Sequence, residues 1–159
     1  MKHHEYWINH LQLEPHPEGG YYRRIYQSNH PTQTNNGERH SATAIQFLLT
    51  SDDFSAWHRI QSDELWFYQQ GCPLVIRSIT PQGELSEVYL GAEHELTTCV
   101  PANTWFCSEP ITTKPSDYSL VSCMVTPGFD FADFEMGNKA ELITAYPQHR
   151  EIISRLCRD

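Results

Sequence analysis

From about residue 20 to residue 125 the chain alternates short runs of Tyr, Phe, Ile, Val and Thr with clusters of Gly, Pro, Asn and Asp. That rhythm belongs to β-strands joined by tight turns. The runs predict strands at Tyr21 to Gln27, Thr43 to Leu49, Ser55 to Ile60, Glu64 to Tyr68, Leu74 to Ile79, Leu85 to Tyr89, Thr97 to Val100, Trp105 to Cys107 and Tyr118 to Val125. Between them, Asn36-Gly37, Asp52-Asp53, Pro81-Gln82-Gly83 and Pro127-Gly128 provide the backbone angles that tight reversals demand. So many short strands with frequent turns predict an all-β sandwich or barrel. Helical periodicity is confined to the ends. Tyr6, Trp7, Ile8 and Leu11 suit a short amphipathic helix within Glu5 to Leu13, with Pro15 and Pro17 expected to stop it. Near the other end Pro147 suits the first turn of a helix on which Ile152, Ile153 and Leu156 share a face. This predicts a helical tail over about residues 138–158, packed on the barrel or on a partner.

One composition regime runs through all 159 residues, which predicts a single domain, residues 1–159, with its barrel over about 20–135. The 20 acidic against 11 basic residues give a net charge of −9, which argues against nucleic-acid backbones and anionic membranes as partners. Apolar stretches such as Ile45 to Leu49 are too short to span a bilayer, and the first residues lack an apolar signal core. A cytoplasmic location is the default expectation. The five cysteines form neither a CxxC pair nor a metal-knuckle spacing, and are expected to be reduced.

The segment from Phe54 to Gly71 carries the first chemical signal. His58, then Glu64, then Gly71 resembles the first signature of the cupin superfamily, in which HxH is followed by Glu four positions later and Gly seven beyond that. Residues two apart on a strand share a face, so Ala56, His58 and Ile60 point one way, as do Glu64, Trp66 and Tyr68. The metal-binding members of that superfamily hold one transition metal with two His and the Glu of this signature and a His from a second one. Here Ile60 stands at the second His position and Phe106 at the later one, with only His58 and Glu64 retained.

Two further motifs, HPEGG at residues 16–20 and PGFDFADFE at residues 127–135, resemble hallmarks of a branch of small cupins known as cupin-5. The resemblance extends from about Leu13 to Phe134. It implies a double-stranded β-helix (jelly roll) with short terminal helices, assembled as a homodimer, with a pocket open at one end of the barrel. It does not imply a reaction, because function resides in the site and not in the fold.

The candidate catalytic residues are His58 as general base, Glu64 to orient it, and Tyr68 as acid partner, the His and Tyr roles being those of cupin-type sugar epimerases. Glu18, Trp66 and Phe106 are candidate ligand-binding residues, Phe106 favouring a pocket for an organic molecule over a metal ion. Each has a plainer alternative: a hydrogen-bonded buried histidine, a carboxylate bonded to its neighbours, core aromatics, and a rigid turn at His16 to Gly20. The leading expectation is a protein that binds a small organic molecule, an epimerase or isomerase if catalytic, with no obligatory metal. A metal-dependent enzyme using His58 and Glu64 plus unusual ligands for a divalent transition metal, and a non-catalytic binding or sensing module, remain open beside it.

Overall fold

The computed structural model describes residues 2–158. Thirteen strands are present: β1 (Glu14–Pro15), β2 (Tyr21–Gln27), β3 (Pro31–Thr34), β4 (Gly37–His40), β5 (Thr43–Thr50), β6 (Ser55–Arg59), β7 (Asp63–Gly71), β8 (Leu74–Ile79), β9 (Leu85–Leu90), β10 (Thr97–Val100), β11 (Phe106–Pro110), β12 (Tyr118–Thr126) and β13 (Glu135–Met136). Helix α1 (His4–His10) precedes them, and α2 (Lys139–Ala145) and α3 (Arg150–Arg155) follow. A six-stranded sheet in the order β1-β2-β5-β12-β7-β10 faces a five-stranded sheet in the order β13-β6-β11-β8-β9, and β3-β4 form a separate hairpin. All strand pairings within these sheets are antiparallel. This is the jelly roll that the cupin resemblance implies, within the all-β class that the strand pattern predicts.

Alternation along each strand decides what goes inside. Phe47 and Leu49 of β5, Trp66 of β7 and Val121 of β12 meet Ile76 of β8 and Phe106 of β11 between the sheets. The intervening residues face outward, and each terminal helix covers one set of them. Leu48, Tyr118 and Leu120 are covered by Trp7, Ile8 and Leu11 around α1. Trp57, Ile79 and Cys107 are covered by Leu142, Ile153 and Leu156 of the tail. Trp105, expected outside the barrel interior, joins this outer layer and lies under the Arg59 guanidinium, 4.5 Å from ring centroid to the Arg Cζ.

Three sequence expectations need correction. Helix α1 stops at His10, well before Pro15, because Gln12 adopts a left-handed φ of 55°. The tail opens at Asn138, whose side chain accepts a hydrogen bond from the Glu141 backbone N–H at 3.0 Å and so caps α2. Pro147 starts only a single 3-10 turn between α2 and α3. The β3-β4 hairpin was missed because its polar residues give no alternation, although Asn36-Gly37 marks its turn. Replacing Asn138 with Ala is expected to cost about 1 kcal/mol. Urea denaturation would show this as a lowered midpoint with an unchanged slope.

Candidate functional site

His16 to Gly20 form a tight turn, with His16 N–H donating to Gly20 O at 2.9 Å and Gly19 N–H to His16 O at 3.0 Å. Gly19 and Gly20 both have positive φ, 110° and 80°, and a Cβ at either would collide with a carbonyl, of Phe54 and of Leu48 respectively. Only glycine allows the chain to press this closely against β5 and β6. The turn is tied down by Gly20 N–H to Asp53 Oδ2 at 2.8 Å and by Ala56 N–H to Glu18 O at 2.9 Å. It therefore delivers the Glu18 side chain beneath the barrel mouth, next to His58.

Glu18 Oε2 lies 2.8 Å from His58 Nε2, and His58 Nδ1 lies 2.7 Å from the Ala56 carbonyl. Both residues are buried, Glu18 at 6% and His58 at 2% exposure. A carbonyl only accepts, so Nδ1 carries a proton, and the carboxylate on the other side favours a second proton on Nε2. Burial alone would lower the His58 pKa, but the Glu18 charge and hydrogen bond, with a contribution from Glu64, raise it above the ordinary value. Burial would likewise raise Glu18, and the same partner outweighs it and holds the carboxyl below its ordinary value. The pair is an imidazolium–carboxylate ion pair in the barrel floor.

Glu64 has the opposite fate. Burial first, and then the negative charge of Glu18, push its pKa up to about 8, against partial relief from His58 and Trp66. Near neutral pH it is a carboxylic acid, and it faces the cavity. Beside it the Trp66 indole N–H is buried and interacts with the Glu64 carboxyl, without a hydrogen bond of full geometry to any group. The cavity above measures about 860 Å³, within the range of small-molecule sites. His58, Glu18, Glu64 and Trp66 form its floor, Tyr22, Phe129, Phe131 and Phe134 an aromatic wall, and Arg23, Arg24 and Asp130 its exposed rim. Cys123 also lines it, but burial, with Glu64 and Glu18 nearby, holds the thiol protonated, so it supplies no ready thiolate nucleophile.

His58, Glu64, Trp66 and Glu18 are thus brought together as residues of one cavity. The orienting partner of His58 is Glu18 and not Glu64. Tyr68 is absent from the cavity lining: its hydroxyl donates to the Gly71 carbonyl at 2.8 Å. Strand parity correctly turns Tyr68 to the side of Glu64, but four residues of extended chain separate the two by about 13 Å. Phe106 lies under the cavity, its ring centroid 4.1 Å from that of His58, and fills the interior instead of touching the open space. His16 lines the cavity too. It is a neutral imidazole whose Nδ1 accepts the Glu18 backbone N–H at 3.1 Å, and burial, partly countered by Glu18, lowers its pKa.

Sequence reading also left the aromatic wall unassigned. Its signal was the spacing of Phe129, Phe131 and Phe134 in the second motif, where the rings pack on one another edge to face. The acids between them are structural. Asp130 caps the Ala132 N–H at 2.8 Å, and Asp133 holds Arg39 at 2.9 and 3.0 Å, tying the β3-β4 hairpin to the rim.

The donor set does not suit a cupin metal. Ile60 and Phe106 offer no ligand atom, and both ring nitrogens of His58 are committed to Ala56 O and Glu18. Among the described residues no three His, Cys, Asp or Glu side chains converge as an ion would require. Nor is any helix of the described residues long and apolar enough to cross a membrane.

Known proteins place this architecture. A hypothetical protein from Leishmania major is 38% identical over 99% of this chain and 100% of its own, with a TM-score of 0.92. A Shewanella oneidensis protein of known crystal structure is 36% identical over 99% of both chains, with a TM-score of 0.90. Oxalate decarboxylase from Bacillus subtilis shares the fold alone, at 11% identity and a TM-score of 0.58 over 89% of this chain and 36% of the enzyme. No curated protein sequence matches the chain. The family model described as Cupin superfamily (DUF985) matches residues 5–137, and the chain accordingly belongs to this cupin-5 family.

Proposed function

We propose that the barrel mouth binds a small organic molecule and catalyses an isomerisation by proton transfer, with Glu64 as the transferring group. The observation that carries this reading is a buried carboxyl with a pKa of about 8 on the floor of an open cavity. A carboxylate that basic is well matched to removing a proton from carbon next to a carbonyl. In the proposed step the Glu64 carboxylate takes the C–H proton, the C–H electron pair forms the C=C bond of an enolate, and the carbonyl oxygen takes the negative charge. The Trp66 N–H beside Glu64 and the His58 imidazolium favour that charge. Glu64 then returns the proton to a different atom on the same face of the substrate.

A single acid–base group favours isomerisation over epimerisation. Inverting a carbon centre with two groups needs an acid opposite the base, and Tyr68, the candidate for that place, has its hydroxyl bonded to Gly71 O away from the cavity. The base role passes from His58 to Glu64 because both His58 nitrogens are engaged.

Incubation with a panel of ketones, hydroxyketones and sugars in D2O tests the proposal. Deuterium is expected to enter at carbon next to a carbonyl, and Glu64→Gln is expected to slow this at least about 100-fold. Ligands that bind and return unlabelled would identify a binding module instead. The homodimer belongs to the same proposal: Ile25 and Tyr26, where the register of β2 shifts in a bulge against β5, are 50% and 53% exposed, which suits a surface covered by a second copy.

A further inference from the structure

The rim of the cavity has a charge pattern that the proton-transfer proposal leaves unused. Arg39, Arg59, Arg77, Arg155 and Arg158 each reach a carboxylate at 2.7–2.9 Å, as expected in so acidic a chain. Arg23 and Arg24, both lining the cavity, make no such pair among the described residues. Arg23 donates to Leu11 O and Gln12 Oε1, each at 3.3 Å, and Arg24 to Gln27 Oε1 at 3.0 Å and Phe129 O at 3.5 Å. All four acceptors are uncharged. Of the rim acids, Asp130 lies 3.9 Å from Arg39 and caps Ala132, leaving Glu14 as the other carboxylate at the mouth.

Resting on the reading of this cavity as a small-molecule site, we infer that its ligand is a planar organic anion: a carboxylate or phosphate held at the rim by Arg24 and Arg23, an unsaturated ring body against Phe129, Phe131 and Phe134, and a carbonyl oxygen at the floor facing Glu64 and Trp66. Three independent features converge on this description. A guanidinium forks onto carboxylate or phosphate oxygens in a way that a carbonyl cannot satisfy. The wall offers ring edges and faces to a flat body, with Phe131 51% exposed at the opening. At the floor the buried Trp66 N–H makes no hydrogen bond of full geometry and has the Glu64 carboxyl beside it, which leaves it free to donate to a ligand's acceptor.

Coumarin-6-carboxylate and its uncharged carboxamide test the inference. Each has a lactone carbonyl at one end and the varied group at the other. Calorimetric titration of the full chain at low salt is expected to show the carboxylate binding about tenfold more tightly than the amide. The preference should disappear in the doubly substituted Arg23→Gln, Arg24→Gln chain and persist in Arg59→Gln, whose guanidinium pairs with Glu135 at 2.8 Å. Raising the salt should shrink it. Equal affinities, a preference that survives loss of both arginines, or no binding of either probe to the folded protein would overturn the anion site. Equal binding of both probes leaves the proton-transfer reading standing, since that reading fails on the deuterium assay with Glu64→Gln.

Discussion

Glu18→Ala is expected to destabilise the folded chain by about 3–5 kcal/mol near pH 6, the usual cost of removing one member of a buried ion pair. His58 is 2% exposed in the native fold with Nδ1 on Ala56 O, and the truncation removes the partner of its Nε2. His58 must then either hold an uncompensated charge or give up its proton, and both cost free energy. The pH dependence identifies the cause. Because the folded His58 pKa is raised, its contribution is complete below the ordinary value of 6.5 and is lost as pH rises through the folded pKa. Because the folded Glu18 pKa is lowered, its contribution is present above 4.5 and is lost as pH falls through the folded pKa. Both contributions coincide in mildly acidic solution, so the gap between wild type and variant should be widest there and narrow on either side. Urea denaturation across that range measures it. A gap under about 1 kcal/mol at every pH would show that the pair is not the anchor of the floor.

Glu64→Gln should act in the opposite direction, stabilising the chain in alkaline solution. The folded pKa of Glu64 is about 8 against an ordinary 4.5. Between these values the folded state holds a proton that the unfolded state has released, so wild-type stability falls as pH rises through this window. The accumulated loss is about 4–5 kcal/mol above pH 8. Glutamine has nearly the same shape and no proton to lose, so the variant should match wild type within about 1 kcal/mol near pH 5 and exceed it by several kcal/mol near pH 9. Parallel stability curves for the two proteins would show that Glu64 titrates normally. Such a trade, stability given up to keep a carboxyl basic, is typical of groups retained for chemistry.

The two variants also report on each other. Glu18 is the second largest cause of the raised Glu64 pKa. Removing it should bring Glu64 down, which carboxyl NMR can follow. Coupling of this kind explains why the site was only half legible beforehand. Strand parity is a local property, and it correctly placed His58, Glu64 and Trp66 on the barrel interior. What His58 touches is not local, since Glu18 precedes it by forty positions and reaches it through a turn whose glycines alone permit the approach.

The sequence by itself determined nine of the thirteen strands, because alternation and turn residues act over a few positions, and it determined the family, because ordered motifs survive as text. It also excluded the usual metal set, since Ile60 and Phe106 cannot ligate whatever the fold does. Tertiary structure alone decided which nitrogen and which oxygen meet, how far along β7 a residue stands from the mouth, and which arginines are left without a carboxylate. Tyr68 lost its proposed role through distance and Glu18 gained one through contact. Proton affinity followed the same division: Glu18 and Glu64 are the same residue type in the same cavity, yet one is held ionised by His58 and the other is kept protonated by burial and the neighbouring negative charge. A pKa depends on every charge and dipole nearby, and only the folded chain brings those together.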